Sequence, residues 1–124
     1  MVLKGNTINL AVRFLLEMSG LVALGMWGWT RGDGVLKYVL ALAVPLIAAV
    51  IWGIFAVPDD PSRSGNAPIS VPGLVRIVLE LAFFASVVWA LFAMHQSIFG
   101  WLFGVIVVVH YLVSYERVSW LLRQ

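Results

Sequence analysis

The sequence predicts an all-α integral membrane protein, with four transmembrane helices forming two tandem helical hairpins under pseudo-twofold symmetry about the membrane normal. Three observations lead there. Four apolar segments reach the length of about 20 residues that crosses a hydrocarbon core of about 30 Å. Hydrophobic residues make up 62 % of the chain and charged residues 11 %; a soluble domain of this size could not hide so much apolar surface, because its surface is too large for its volume. One short pattern also occurs twice: Val12-Arg13-Phe14-Leu15-Leu16-Glu17-Met18 returns 63 residues later as Val75-Arg76-Ile77-Val78-Leu79-Glu80-Leu81.

The first segment covers residues 8–29. It is too long for a cleaved signal peptide, Glu17 interrupts it, and no small-x-small cleavage site follows, so it reads as a retained helix. The second covers residues 35–57 and contains Pro45, which removes one backbone hydrogen bond and should kink the helix. The third and fourth cover residues 72–93 and 97–115. Thr30-Arg31-Gly32-Asp33-Gly34 and Met94-His95-Gln96 are tight polar turns, which make helices 1–2 and 3–4 antiparallel hairpins. Between the hairpins, residues 58–71 carry turn chemistry and no apolar periodicity, as a solvated loop does; Asp59 and Asp60 beside Arg63 fit that loop and not a metal site. The whole chain, residues 1–124, then forms a single transmembrane domain, and two tandem hairpins share one orientation, hence the pseudo-twofold axis.

Lysine and arginine counts set the orientation. Lys4, Arg13, Arg63, Arg76, Arg117 and Arg123 lie on the side of the termini and the long loop; only Arg31 and Lys37 lie on the other. That bias predicts both termini in the cytoplasm. Trp27, Trp29, Tyr38, Trp89 and Trp101 mark the outer interface, and Tyr115 and Trp120 the inner one. Small residues at helical spacing supply close packing: Gly20, Gly25 and Gly28 in helix 1, Ala49 and Gly53 in helix 2, Ala82, Ser86 and Ala90 in helix 3, Gly100 and Gly104 in helix 4.

The candidate site follows from the repeated motif. Arg13 and Glu17 share one helix face, as do Arg76 and Glu80, because residues four apart are neighbours on a helix. Counted from Asn9, Glu17 lies about 12 Å deep at 1.5 Å per residue. Arginine can snorkel to the interface, whereas glutamate is too short to do so easily. Pairing within each helix and crosswise pairing, Arg13 with Glu80 and Arg76 with Glu17, both fit the symmetry. Either way a four-member charge cluster is expected between helices 1 and 3. His110 reaches the same depth on helix 4, and Tyr111, Glu116 and Arg117 could extend the network. His95 falls in an exposed turn.

The preferred reading is that the cluster binds a small polar ligand or ion, as a proton-coupled transporter relaying protons through Glu17, Glu80 and His110 or as a non-transporting ligand- or lipid-binding module. The alternative is a structural or accessory subunit in which the cluster only clamps the two hairpins together. A transporter built this way would work as a homodimer, since four helices enclose little volume. Enzyme patterns are absent: there is no phosphate-cradling glycine loop, no His-Glu-x-x-His and no nucleophile elbow. No cysteine is present, so disulfide and thiolate chemistry are excluded. No cofactor is expected. The few basic residues are scattered, which argues against nucleic acid, and leaves the lipid bilayer as the expected partner.

The chain resembles the YrdB-like family of small bacterial four-helix membrane proteins of uncharacterised function. The resemblance is carried by Asn9-Leu10-Ala11-Val12-Arg13-Phe14-Leu15-Leu16-Glu17, by Gly25-Met26-Trp27-Gly28-Trp29, by Pro45 with Trp52-Gly53-Ile54-Phe55 leading to Pro58, and by Leu74-Val75-Arg76-Ile77-Val78-Leu79-Glu80-Leu81. It implies a bacterial inner-membrane location and supplies no activity. It is weakest in helix 4, so His110 rests on its depth alone.

Overall fold

A computed structural model describes residues 7–58 and 68–124. Its elements are α1 (Thr7–Arg31), α2 (Val35–Ile54), β1 (Phe55–Ala56), β2 (Ile69–Ser70), α3 (Gly73–Ala93), α4 (Ser97–Val113) and α5 (Tyr115–Leu122). Helices α1, α2 and α3 are long and apolar enough to cross a membrane. Helix α4 reaches that length only together with α5, from which it is bent by 70°.

Helices α1, α3 and α4 each bury one stripe at a spacing of three or four, as an amphipathic helix does. On α1 the stripe is Arg13, Leu16, Gly20 and Ala23–Leu24. On α3 it is Gly73, Arg76, Glu80, Phe84, Val87 and Ala90–Leu91. On α4 it is Gly100, Phe103, Val107 and His110. Phe84 is the centre of the core, with the rings of Trp52, Phe83, Phe103 and Tyr111 around it at centroid distances of 5.2 to 6.1 Å.

Helix α2 is attached differently. None of its residues is buried. It lies backbone against backbone on α1: a Cβ added to Gly28 would sit 2.5 Å from the Leu40 carbonyl oxygen, and one on Gly25 would sit 3.0 Å from that of Ala41. The helix runs unbroken through Pro45, which faces Gly25. The turn between α1 and α2 uses Gly34 at φ 58°, a left-handed conformation open to glycine. The turn between α3 and α4 also needs a left-handed residue, and here it is His95 at φ 62°. His95 and Gln96 donate to the carbonyls of Phe92 and Leu91 at 3.0 and 2.8 Å, the paired bonds of a Schellman C-cap.

Several expectations are corrected. The second helix stops at Ile54, and the loop that follows begins and ends in a two-residue parallel pairing, Phe55 with Ile69 and Ala56 with Ser70. The fourth helix does not end the chain. It turns at Ser114 into α5, which packs on the start of α3 so closely that a Cβ on Gly73 would run into the Leu121 carbonyl. Of the small-residue stripe on α3 only Ala90 is buried; Ala82 and Ser86 face outward. A Cβ on Gly53 would meet no described atom within 4 Å, whereas Gly20 packs on Phe83 and Val87 and Gly100 on Phe92. The hairpins are also unequal, because α4 buries four residues where α2 buries none. Lys4, Asp59, Asp60 and Arg63 lie outside the described residues.

Candidate functional site

Glu80 lies at the centre of the only part of the core that is charged among the described residues. Its side chain is 0 % exposed. Arg76 comes from one turn earlier on α3 and donates from Nε to Glu80 Oε2 at 2.8 Å. Arg117 comes from α5 and forms a two-pronged fork, Nη1 to Oε1 at 3.0 Å and Nη2 to Oε2 at 2.7 Å. Tyr111, on α4, donates its hydroxyl to Oε1 at 2.7 Å. Arg13, on α1, brings Nη2 to 2.7 Å from Oε2, an ion contact without hydrogen-bond direction. A carboxylate offers about four lone-pair sites. Those of Glu80 are all taken.

The site extends to α2 through backbone rather than side chains. Arg76 Nη1 donates to the carbonyls of Trp52 at 2.6 Å and Phe55 at 2.7 Å. These belong to the end of α2, where carbonyls lack helical partners and the helix dipole is negative. The Trp52 ring lies beside two guanidiniums, with Arg76 Cζ 4.5 Å and Arg13 Cζ 5.3 Å from its centroid. Both distances suit a cation–π contact. One carboxylate thus joins α1, α3, α4 and α5 directly, and α2 through Arg76.

Glu17 differs from its counterpart in the repeat. Its one ion contact among the described residues is Arg13 Nε at 3.3 Å, and its side chain is 19 % exposed. Of the two crosswise pairs, Arg13 with Glu80 is formed, and Arg76 with Glu17 is not found among the described residues. The repeat in sequence is therefore not a repeat in contacts. His110 is buried on the α4 stripe with its ring 5.7 Å from Tyr111, and its Nδ1 has no hydrogen-bond partner. It is not bonded to either glutamate among the described residues. Arg117 and Tyr111 join the cluster directly, while Glu116 forms no ion pair there. Trp52 and the α2 carbonyls have no advance signal of their role, since nothing in a tryptophan or a backbone group reveals that an arginine 21 to 24 residues away will use it. Among the described residues no three His, Asp or Glu side chains are grouped to hold a metal.

Over residues 11–108 the chain matches a family described as a protein of unknown function (DUF2568). The chain belongs to this family. The matched stretch contains Arg13, Glu17, Arg76 and Glu80 and ends before His110, Tyr111 and Arg117. Among curated proteins, the uncharacterized protein YrdB of Bacillus subtilis (strain 168) is 43 % identical over 121 residues, 98 % of each chain. The YrdB-like resemblance read from the sequence is thereby shown, and with it comes no assigned activity. No solved structure matches the chain significantly.

Proposed function

We propose that this chain is a non-catalytic integral membrane protein, with both termini in the cytoplasm, that serves as a structural or accessory subunit and uses the Glu80 cluster as its clamp. The saturation of Glu80 carries the reading: a carboxylate whose acceptor sites are filled by two guanidiniums and a phenol, with a third guanidinium in ion contact, has none left for a ligand or a mobile proton. Such a clamp has a clear task in lipid, where helices lack a hydrophobic drive to associate and polar contacts help hold them. The orientation rests on the bias of basic residues. Three of the six assigned to the cytoplasmic side, Arg13, Arg76 and Arg117, are drawn into the cluster.

A second reading, binding of a small polar ligand or ion, is favoured by one specific observation. Arg13 Nη1 and His110 Nδ1 are buried without partners, and Glu17 keeps part of its surface open. Proton passage through these groups would be the transporting form of that reading. Reconstitution into liposomes under a pH gradient separates the two. The clamp reading expects the gradient to decay as in protein-free vesicles. An accelerated decay that Glu17→Gln abolishes would overturn it in favour of a proton pathway.

A further inference from the structure

The buried side-chain nitrogens without hydrogen-bond partners are not spread evenly over the molecule. Apart from Trp27 Nε1, those among the described residues belong to Asn9, Arg13 and His110. These three gather at one end of the bundle. Asn9 and Arg13 are one turn apart on the same face of α1, and His110 closes the buried stripe of α4. All can present N–H donors, and a buried donor left without an acceptor costs about 1–3 kcal/mol. The acceptors at this end are the carboxylates of Glu80, whose sites are filled, and of Glu17, which reaches Arg13 only at Nε, 3.3 Å away, so these nitrogens are left over.

The lining of an apolar groove stops short of these three residues by one helical turn or less along α1 and α4. The groove runs between α1 and α4 with a volume of about 640 Å³, and its walls include Leu15, Leu16, Val22, Met26, Leu102 and Phe103. Its innermost lining residues are Val12 and Ile106. Arg13 adjoins the first, Asn9 stands three residues before it, and His110 stands one turn beyond the second. Along α1 the groove extends from Val12 to Met26, about 21 Å at 1.5 Å per residue. That exceeds half the thickness of a hydrocarbon core, about 15 Å, so one acyl chain from one leaflet fits lengthwise.

We infer that this groove is a binding site for an anionic phospholipid of the surrounding leaflet, with an acyl chain between α1 and α4 and the headgroup phosphate accepting from Asn9, Arg13 and His110. The inference rests on the second reading above and names its ligand class. A phosphate diester brings acceptor oxygens and no donor of its own, which complements side-chain nitrogens that Glu80 and Glu17 leave without hydrogen-bond partners. The apolar walls favour a lipid over free phosphate, and basic pockets between helices suit acidic headgroups. Glu80 plays no part in the site, so the clamp and the lipid site divide the cluster between them.

The test uses the full chain in an uncharged detergent and reads the thermal unfolding midpoint against added phospholipid. Two lipids with identical acyl chains are compared, one with an anionic phosphoglycerol headgroup and one with a zwitterionic phosphocholine headgroup, alongside inorganic phosphate. Both headgroups carry the phosphate diester, but the choline ammonium of the zwitterionic lipid is repelled by Arg13, so the anionic lipid should raise the midpoint at a concentration about tenfold lower, a difference of about 1.4 kcal/mol. Ser19→Trp, at an exposed position lining the groove, should stay folded and lose the response to both lipids; His110→Leu should lose the headgroup preference. Equal responses to the two lipids, or an undiminished preference in Ser19→Trp, would overturn the inference. A shift with inorganic phosphate equal to that with anionic lipid would remove the lipid and keep the second reading. No shift with any of the three would remove both.

Discussion

Replacing Glu80 by glutamine keeps the size of the side chain and removes its charge. In the folded protein Glu80 is the only carboxylate in contact with Arg76 and Arg117 among the described residues, and the closer of two to Arg13. Removing one member of a buried ion pair costs about 3–5 kcal/mol, because the remaining charge stays in place uncompensated. Glutamine makes matters worse locally. It puts two N–H donors where four donors already converge, and a donor left without an acceptor costs about 1–3 kcal/mol. The loss should therefore be at least about 3 kcal/mol, a large part of the 5–15 kcal/mol that holds a typical protein folded. Glu17→Gln is the control. With one 3.3 Å contact among the described residues and 19 % exposure, against four hydrogen bonds and 0 % for Glu80, it should cost clearly less than Glu80→Gln. Equilibrium unfolding in mixed detergent micelles, followed by tryptophan fluorescence, measures both, and Trp52 lies within the cluster as a reporter. The reasoning fails if Glu80→Gln stays within about 1 kcal/mol of the parent, or if Glu17→Gln costs as much as Glu80→Gln.

Other contacts make separate predictions. Gly73→Ala should push α5 off α3, because the new Cβ meets the Leu121 backbone carbonyl; amide exchange in α5 should speed up while α1 and α2 keep their protection. Gly28→Val should part α1 from α2 at the Leu40 carbonyl and cost about 1–3 kcal/mol in the same unfolding assay. Trp52→Leu removes two cation–π contacts and the packing on Phe83 and Phe84, for an expected loss of about 2–4 kcal/mol. His95→Val should lose about 1–2 kcal/mol to the left-handed backbone, and His95→Gly should not lose stability; equal values for the two would show that the turn adopts another conformation.

Much of this architecture was legible in the sequence because long apolar runs and turn residues mark helices plainly. The three helices long and apolar enough to cross a membrane, both tight turns and the buried Arg13, Arg76 and Glu80 follow from apolar length, turn residues and the pairing that charges within apolar runs require. The symmetry did not follow. Arg13–Glu17 and Arg76–Glu80 have the same spacing, yet Glu80 is closed in because Arg117 and Tyr111 arrive from helices at the far end of the chain, and Glu17 receives no such visitors. A motif reports what its own helix offers and nothing of what docks on it. Helix α5 was missed for a related reason. Its polar and apolar residues alternate as on a surface helix, and only its docking through Arg117 and Leu121 reveals it as part of the core. The end of α2 was invisible because Arg76 binds its carbonyls, which every residue possesses.

The clamp is tested most directly by a double-mutant cycle on Arg117 and Glu80, measuring unfolding free energies of Arg117→Gln, Glu80→Gln and the combined variant against the parent. Two side chains joined by a buried fork should show a coupling of at least about 1.5 kcal/mol, whereas the same cycle on Arg13 and Glu17, joined by one 3.3 Å contact, should give a smaller one. Additive costs at Arg117 and Glu80 would mean that α5 is not held to the bundle through this carboxylate, and the account of Glu80 as the clamp would be wrong.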